Sequence, residues 1–600
     1  MQAEKLFDIP DLQLLDVASD GSFSVVVSNK DNTHNLYKVI HANLTWQPLT
    51  KGEDRVVTGV LSPDNSYVIF PRAKGGSEKP NLYKVSVVAG EPELVAELKG
   101  IRISVLKFTM DGSKLLFSGN DSQKMALWVL DVKSGEVKAI YESNIPGRLG
   151  PINSQVEFLA WSEMTFGNPQ ASIIKVIDYG SGDIVDEISI NDQSEDYPHK
   201  WSPDGNKLLF QSKMVGYTEL YVWDRQTGEK TTLQASELGL GYSFPSTLWL
   251  ASGEEVLYSV KKAGRTNLYR ELVDRTAKPI IVPTEDGWVD TILLAKEKPN
   301  TLFMKWSNLS TPSKIVQMNL ETMETKVLAS IMPLTIDFKL IRPQFIRYET
   351  FDGRKIPAYV VEPPSETALP GNPSIILVHG GPAWEFADNW DTMGIIIQLY
   401  ATAGFTVLCP NIRGSTGYGK EFLDLNIGDL GGGDLQDVLY GKRYLMQRNP
   451  SSPIFLTGAS YGGFMTFLIM TKHPLEFEAG AAVVGIPDWE AVHRLGDLAF
   501  KRLTEKYFEG SPSEKEELYR DRSAYYFIEE LQKPMLIVHR ENDSRCPIDP
   551  IYTFYGKAKA LGKEVELIVQ RNTGHGPQRM FDLKEQYGRI LQFFLTHLGK

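Results

Sequence analysis

Cysteine is nearly absent: the 600 residues contain two, Cys409 and Cys546. Two thiols exclude a disulfide framework and suit a reducing compartment, so a cytoplasmic enzyme is expected. Long apolar runs are missing as well. No stretch approaches the roughly 18 apolar residues that a membrane span requires, and the segment Met1 to Asp8 lacks the apolar core of a secretory signal. Positive charge is in deficit. Sixty-three Lys and Arg stand against 75 Asp and Glu, giving a net charge of −12 and a pI near 5.4, which argues against nucleic acid or an anionic membrane as a partner. The nine histidines show neither H-x-x-x-H nor H-E-x-x-H spacing. No metal and no organic cofactor is expected.

What is present is ample core material, 42% hydrophobic and 10% aromatic residues, with a repeat in the first half. Apolar anchors at Leu36, Leu82, Leu127, Ile174, Leu220, Leu268 and Ile315 lie 46, 45, 47, 46, 48 and 47 residues apart. Turn sequences precede several of them: Ser19-Asp20-Gly21, Ser62-Pro63-Asp64-Asn65, Met110-Asp111-Gly112 and Ser202-Pro203-Asp204-Gly205. A period of about 40 to 50 residues built from short alternating strands is the pattern of propeller blades, four strands to a blade. Seven anchors predict a seven-bladed β-propeller over 1–335. A β-sandwich gives no reason for near-equal spacing. His34, His41 and His199 stand isolated in this half and read as surface or packing residues.

From about residue 336 to 600 the pattern becomes strands alternating with amphipathic helices, which predicts a doubly wound sheet. Strands are expected at 356–361, 374–378, 406–410, 453–457, 479–484, 534–539 and 564–570, and helices near 391–403, 434–447, 463–473, 552–561 and 579–598. Ser460, in Gly458-Ala459-Ser460-Tyr461-Gly462 after the apolar run Pro453 to Leu456, has the strand, sharp turn and helix context of an α/β-hydrolase nucleophile. The motif alone is weak, and its weight comes from an acid and a base downstream in the chain. Asp543, after the strand Met535 to Val538, is the expected acid, and His575, between Gly574 and Gly576, the expected base. The order Ser, Asp, His is the one this fold uses. His379 and His539 also end strands, but His575 is the histidine that comes after Asp543 in a strand-end loop. Asp549 is the next acid, explained by N-capping at a helix start. The backbone N–H of Tyr461 is one expected oxyanion donor, and His379-Gly380-Gly381-Pro382 supplies the other.

A seven-blade repeat followed by His379-Gly-Gly-Pro, Gly458-Ala-Ser-Tyr-Gly-Gly, Asn542-Asp-Ser-Arg and Gly574-His resembles the prolyl oligopeptidase family of serine peptidases. Asn411-Ile-Arg-Gly-Ser-Thr-Gly-Tyr-Gly and Pro487-Asp-Trp are most similar to its acylaminoacyl-peptidase branch. The resemblance implies short peptides as substrates, screened by the propeller, with release of N-acylated amino acids from blocked peptides. Esterase, oligopeptidase and carboxypeptidase activities are the alternatives. It further implies Gly381 and Tyr461 as oxyanion donors, Arg545 facing the substrate, and Ile486, Trp489, Phe500 and Leu503 lining an apolar pocket. A homo-oligomer is compatible with the sequence. Two departures stand out: Arg540 occupies a position where relatives usually carry glycine, which is expected to alter the chamber entrance, and the N-terminal helix that packs on the hydrolase domain in some relatives is short or absent.

Overall fold

In a computed structural model the chain is described over residues 2–598, apart from 78, 89, 99–100, 121–123, 146, 166–167, 215–216, 235–245, 263, 334–335, 497 and 578. Between Leu12 and Ser330 the strands form five separate four-stranded antiparallel sheets and one eight-stranded sheet. Each of the seven anchors falls in a third strand of a four-strand run and is buried, at most 1% exposed. The reason lies in the pleat: an apolar side chain in the third strand points between neighbouring sheets, where it is removed from water. The arrangement closes on itself. Leu12, Val26 and Tyr37 of the first sheet share one buried cluster with Phe303, Ile315 and Leu328 of the last.

The seven expected blades are not resolved as seven separate sheets. The run 147–188 and the run 195–232 are tied by a parallel bridge between Ser172 and Glu195, which makes them one eight-stranded sheet. The turns behave as their residues dictate. Ser62, Thr109 and Ser202 each donate to the aspartate two residues on, at 2.6, 2.6 and 2.5 Å. Gly112 and Gly205 then take the left-handed φ, +71° and +74°, that such a turn needs.

The second half holds an eight-stranded sheet: β1 (Gln344–Glu349), β2 (Lys355–Val361), β3 (Ser374–Val378), β4 (Thr406–Pro410), β5 (Ile454–Ala459), β6 (Gly480–Val483), β7 (Met535–Arg540) and β8 (Val565–Gln570). Their order is β1-β2-β4-β3-β5-β6-β7-β8, antiparallel up to β4 and parallel from there on. The parallel strands are continuous apolar runs because both faces are covered. Ile376, Val378 and Leu456 pack under α2 (Gly433–Arg448), α3 (Tyr461–Lys472) and α6 (Asp549–Ala560). Ile375, Leu377 and Phe455 pack against α1 (Thr392–Thr402) and α7 (Met580–Thr596). Two further helices, α4 (Trp489–Leu495) and α5 (Leu498–Phe508), lie between β6 and β7.

The N-terminal element is short: a 3-10 helix, Gln2–Asp8, whose Ala3, Leu6 and Phe7 join the α1 and α7 side of the hydrolase core. Asp549 does not cap its helix; it is the first helical residue, after Ile548, and makes no side-chain cap bond. Among the described residues no helix is long and apolar enough to cross a membrane.

Candidate active site

Ser460 sits where β5 turns into α3, with φ +58° and ψ −114°. A non-glycine residue pays for such a conformation in strain, and the surroundings have to impose it. They do so by close packing. A Cβ on Gly458 would meet Gly462 and the Val378 carbonyl at 2.6 Å, and one on Gly462 would meet the Val378 oxygen at 2.0 Å. Both glycines are therefore obligatory if α3 is to fold back over β3. The turn lifts the Ser460 hydroxyl off the carboxyl edge of the sheet, the usual place for chemistry in this architecture.

Two loops meet it there. His575, in the loop after β8, places Nε2 3.1 Å from Ser460 Oγ. Its Nδ1 lies 2.7 Å from Oδ2 of Asp543, in the loop after β7. The other carboxylate oxygen, Oδ1, accepts from the backbone N–H of Arg545 at 3.0 Å and of Cys546 at 2.9 Å. Burial works to raise the Asp543 pKa, but the hydrogen bond and charge of His575, the Cys546 N–H and the nearby His539 outweigh it and hold it below the ordinary carboxylate value. Asp543 is thus a fixed anion, 5% exposed. The rival histidines are occupied elsewhere. His379 Nε2 lies 2.8 Å from Ser415 Oγ, and His539 Nε2 lies 2.8 Å from the Cys546 carbonyl. Burial pushes both down to about 4, so they are neutral.

Gly381, Tyr461, Ser460 and His575 line one cavity of about 390 Å³. Tyr461 is the first residue of α3, so its N–H has no partner within the helix and is left to point at a ligand. Gly381 has φ +123°, and a Cβ on neighbouring Gly380 would lie 3.5 Å from Ser460 Cβ, so this loop runs directly beside the serine. Arg545, Ile486, Trp489, Phe500 and Leu503 line the same cavity. Ile486 and Trp489 form its buried floor, 3% and 5% exposed, whereas Leu503, at 43%, stands on the rim. Pro382, Leu430, Thr504, Tyr507 and Cys546 complete the wall. Among the described residues, one group of potential metal ligands has its atoms within 4.8 Å of one another, Asp543, Cys546 and His575. A cation there would have to displace the proton between His575 and Asp543.

Arg540 corrects the sequence reading. It does not face an entrance but lies buried under the His575 loop, 3% exposed. Its guanidinium donates to the His575 carbonyl, to Gln570 Oε1 at 3.3 Å and to Gln586 Oε1 at 3.1 Å. Asp434 was not foreseen either. It accepts the phenol of Tyr461, and burial pushes its carboxyl up to about 6 against that hydrogen bond. The propeller reaches both sides of the site. Arg55 Nη1 donates to the Pro577 carbonyl at 3.0 Å, Met580 N donates to the Asn32 carbonyl at 2.8 Å, and Asn542 Nδ2 donates to the Gly75 carbonyl at 3.1 Å. Across the cleft, Lys261 pairs with Glu385, and Arg265 Nε lies 3.2 Å from Asp388, both acids in the loop just beyond Gly381.

Residues 390–600 match the sequence profile of the prolyl oligopeptidase family. Curated relatives of the wider chain include the dipeptidyl-peptidase 5 of Schizosaccharomyces pombe, 27% identical over 341 residues that make up 54% of this chain and 49% of that one. The acylamino-acid-releasing enzyme of Sus scrofa is 21% identical over 522 residues, 79% of this chain and 69% of that protein. The chain spans about half the length of the curated relatives it matches most strongly. A solved acylaminoacyl peptidase of Pyrococcus horikoshii shares the fold of this chain. It superposes with a TM-score of 0.75 at 19% identity, over 100% of this chain and 98% of the other.

Proposed function

We propose that the chain is a serine peptidase that hydrolyses short peptides through Ser460, His575 and Asp543, releasing N-acylated amino acids from blocked peptides. The observation that carries this reading is the unbroken row from hydroxyl to imidazole to carboxylate, 3.1 and 2.7 Å, beside an apolar cavity. In the first step His575 Nε2 takes the Ser460 proton as Oγ attacks the scissile carbonyl. The N–H groups of Gly381 and Tyr461 hold the oxyanion that forms. Asp543 keeps Nδ1 protonated and stabilises the imidazolium. His575 then gives its proton to the leaving amine, and a water repeats the sequence on the acyl-enzyme. Ile486, Trp489, Phe500 and Leu503 would take an apolar side chain before the scissile bond.

The same reading divides the chain into a propeller, 1–335, and a hydrolase domain, 336–600, and counts the eight-stranded sheet as two blades of seven. Seven buried apolar clusters, one at each junction between neighbouring four-strand runs and one closing the ring, support that count. A chain with only two cysteines, both buried, favours a cytoplasmic setting.

Ser460→Ala should abolish turnover of acetyl-alanyl and acetyl-leucyl anilides while the melting temperature stays within a few degrees of the parent. Substantial residual hydrolysis sinks the assignment. A profile over N-acetylated, N-formylated, free-amino and ester substrates then separates peptidase from esterase, since amide cleavage competitive with ester cleavage is expected only of the former.

A further inference from the structure

Strand β7 ends in two buried polar side chains that point to opposite faces of the sheet, as successive strand residues must. Met535 and Ile537 pack on the α2, α3 and α6 side, in one cluster with Cys546, and Leu536 and Val538 pack on the α1 and α7 side. His539 therefore falls on the Cys546 side. Arg540 falls on the α7 side, where it reaches Gln586 and the His575 carbonyl. Each face serves one catalytic loop: Arg540 holds the loop of the base, and His539 stands against the loop of the acid.

His539 is 0% exposed, and its Nε2 lies 2.8 Å from the Cys546 carbonyl. A carbonyl only accepts, so Nε2 has to carry the hydrogen. Burial pushes the imidazole down to about 4, so at neutral pH it holds a single ring proton and Nδ1 is bare. That nitrogen is buried with no hydrogen-bond partner among the described residues. An acceptor left unsatisfied in the interior costs stability, and an apolar side chain at the end of this apolar strand would avoid the cost. What a histidine supplies there is one donor, aimed at Cys546.

That donor reaches the catalytic acid through one residue. The Cys546 N–H donates to Asp543 Oδ1 at 2.9 Å, beside the Arg545 N–H at 3.0 Å. The row from Ser460 through His575 and Asp543 thus runs on through Cys546 to His539, with steps of 3.1, 2.7, 2.9 and 2.8 Å. The outgoing limb of the same loop is held by other means. Glu541 N donates to the Gln570 carbonyl at 3.0 Å and Asn542 N to the Thr573 carbonyl at 3.1 Å. His539 ties the returning limb back to its own strand.

We propose that His539 is a positioning residue for the catalytic acid: its Nε2–H fixes Cys546, and Cys546 fixes the Asp543 carboxylate against His575. This deepens the triad reading and rests on it.

Two amide replacements separate the donor from mere volume. Gln places its Nε2 as many bonds from Cα as the histidine Nε2, whereas Asn places its amide where Nδ1 stands. His539→Asn should lower kcat for acetyl-leucyl anilide about tenfold with KM within about twofold, and His539→Gln should stay within about threefold of the parent in both. The low-field proton NMR signal of the His575 Nδ1–H, identified by its loss in His575→Ala, should persist in the Gln variant and shift or broaden in the Asn variant. A Gln variant as impaired as the Asn variant overturns the proposal, and so does an Asn variant with the parent's kcat and signal. Should His539→Asn fail to fold, the parent decides. Spectra of isotope-labelled histidine must then show the His539 hydrogen on Nε2, and the opposite tautomer overturns the proposal. Turnover by the parent is scored separately: absence of anilide hydrolysis sinks the peptidase reading, while the low-field signal and the tautomer still decide the role of His539.

Discussion

Arg540 ends β7 as a buried cation whose donors all go to neutral oxygens: the His575 carbonyl and the amides of Gln570 and Gln586. Burial pushes its guanidinium down to about 10, which leaves it charged at neutral pH. Its role is set by where those donors go. One arm fixes the backbone of the base, and the other two tie that loop to β8 and α7. Arg540→Met should therefore lower kcat by about tenfold with a small change in KM, the pattern of a base less well aimed. Steady-state kinetics on an acetyl-amino-acid anilide check this, and an unchanged kcat would reduce Arg540 to a packing residue. The sequence marked this position as a departure but not its direction. A polar residue at the end of an otherwise apolar strand can turn outward to solvent or inward to a loop, and the deciding partners lie 30 to 46 positions away.

At the level of elements, β5, its turn and α3 act as one rigid unit, held from behind by Asp434 at the start of α2. A buried carboxyl whose pKa rises to about 6 in the fold is favoured in its neutral form. It therefore contributes stability at low pH that is lost as pH rises from the unfolded value near 4 through about 6. Relative to Asp434→Asn, the parent should lose about 2 to 3 kcal/mol of unfolding free energy between pH 4 and pH 7. Urea titrations at those two values measure the difference, and a gap that does not change with pH excludes this role.

The parallel strands were legible because each is an apolar run covered on both faces: Ser374–Val378 and Thr406–Pro410 have the expected bounds. Strand β1 was missed for the converse reason. Gln344-Phe-Ile-Arg-Tyr-Glu is an edge strand with one fully buried side chain, Tyr348, so it lacks the apolar signature. Helices α4 and α5 escaped too, though Trp489 and Phe500 were singled out, because their apolar faces split between core and open cavity. For the site, the segments that carry Ser460, Asp543, His575 and Gly381 could be picked out locally, each being a short motif at a strand end. The contacts that hold them could not, since Arg55, Asn32 and Lys261 lie more than a hundred positions from their partners.

At the scale of the whole molecule, the two halves are joined by buried charge as well as by chain. Lys261 of the propeller pairs with Glu385, and both are largely buried, with side-chain exposures of 10% and 3%; Thr416 hydrogen-bonds to both, at 3.1 and 2.9 Å. Removing one partner strands a charge in a dry interface, which typically costs about 3 to 5 kcal/mol, whereas replacing both costs far less. Lys261→Met and Glu385→Gln should each lower the melting temperature or loosen the halves more than the double replacement does. Thermal unfolding with limited proteolysis checks this, and additive effects would show that the pair does not couple. Because the blades also hold the backbone at Pro577 and Met580 and the side-chain amide of Asn542, the His575 loop and the Asp543 loop share their anchorage with the first half of the chain. Any displacement of the blades would therefore pull on the two loops that carry His575 and Asp543.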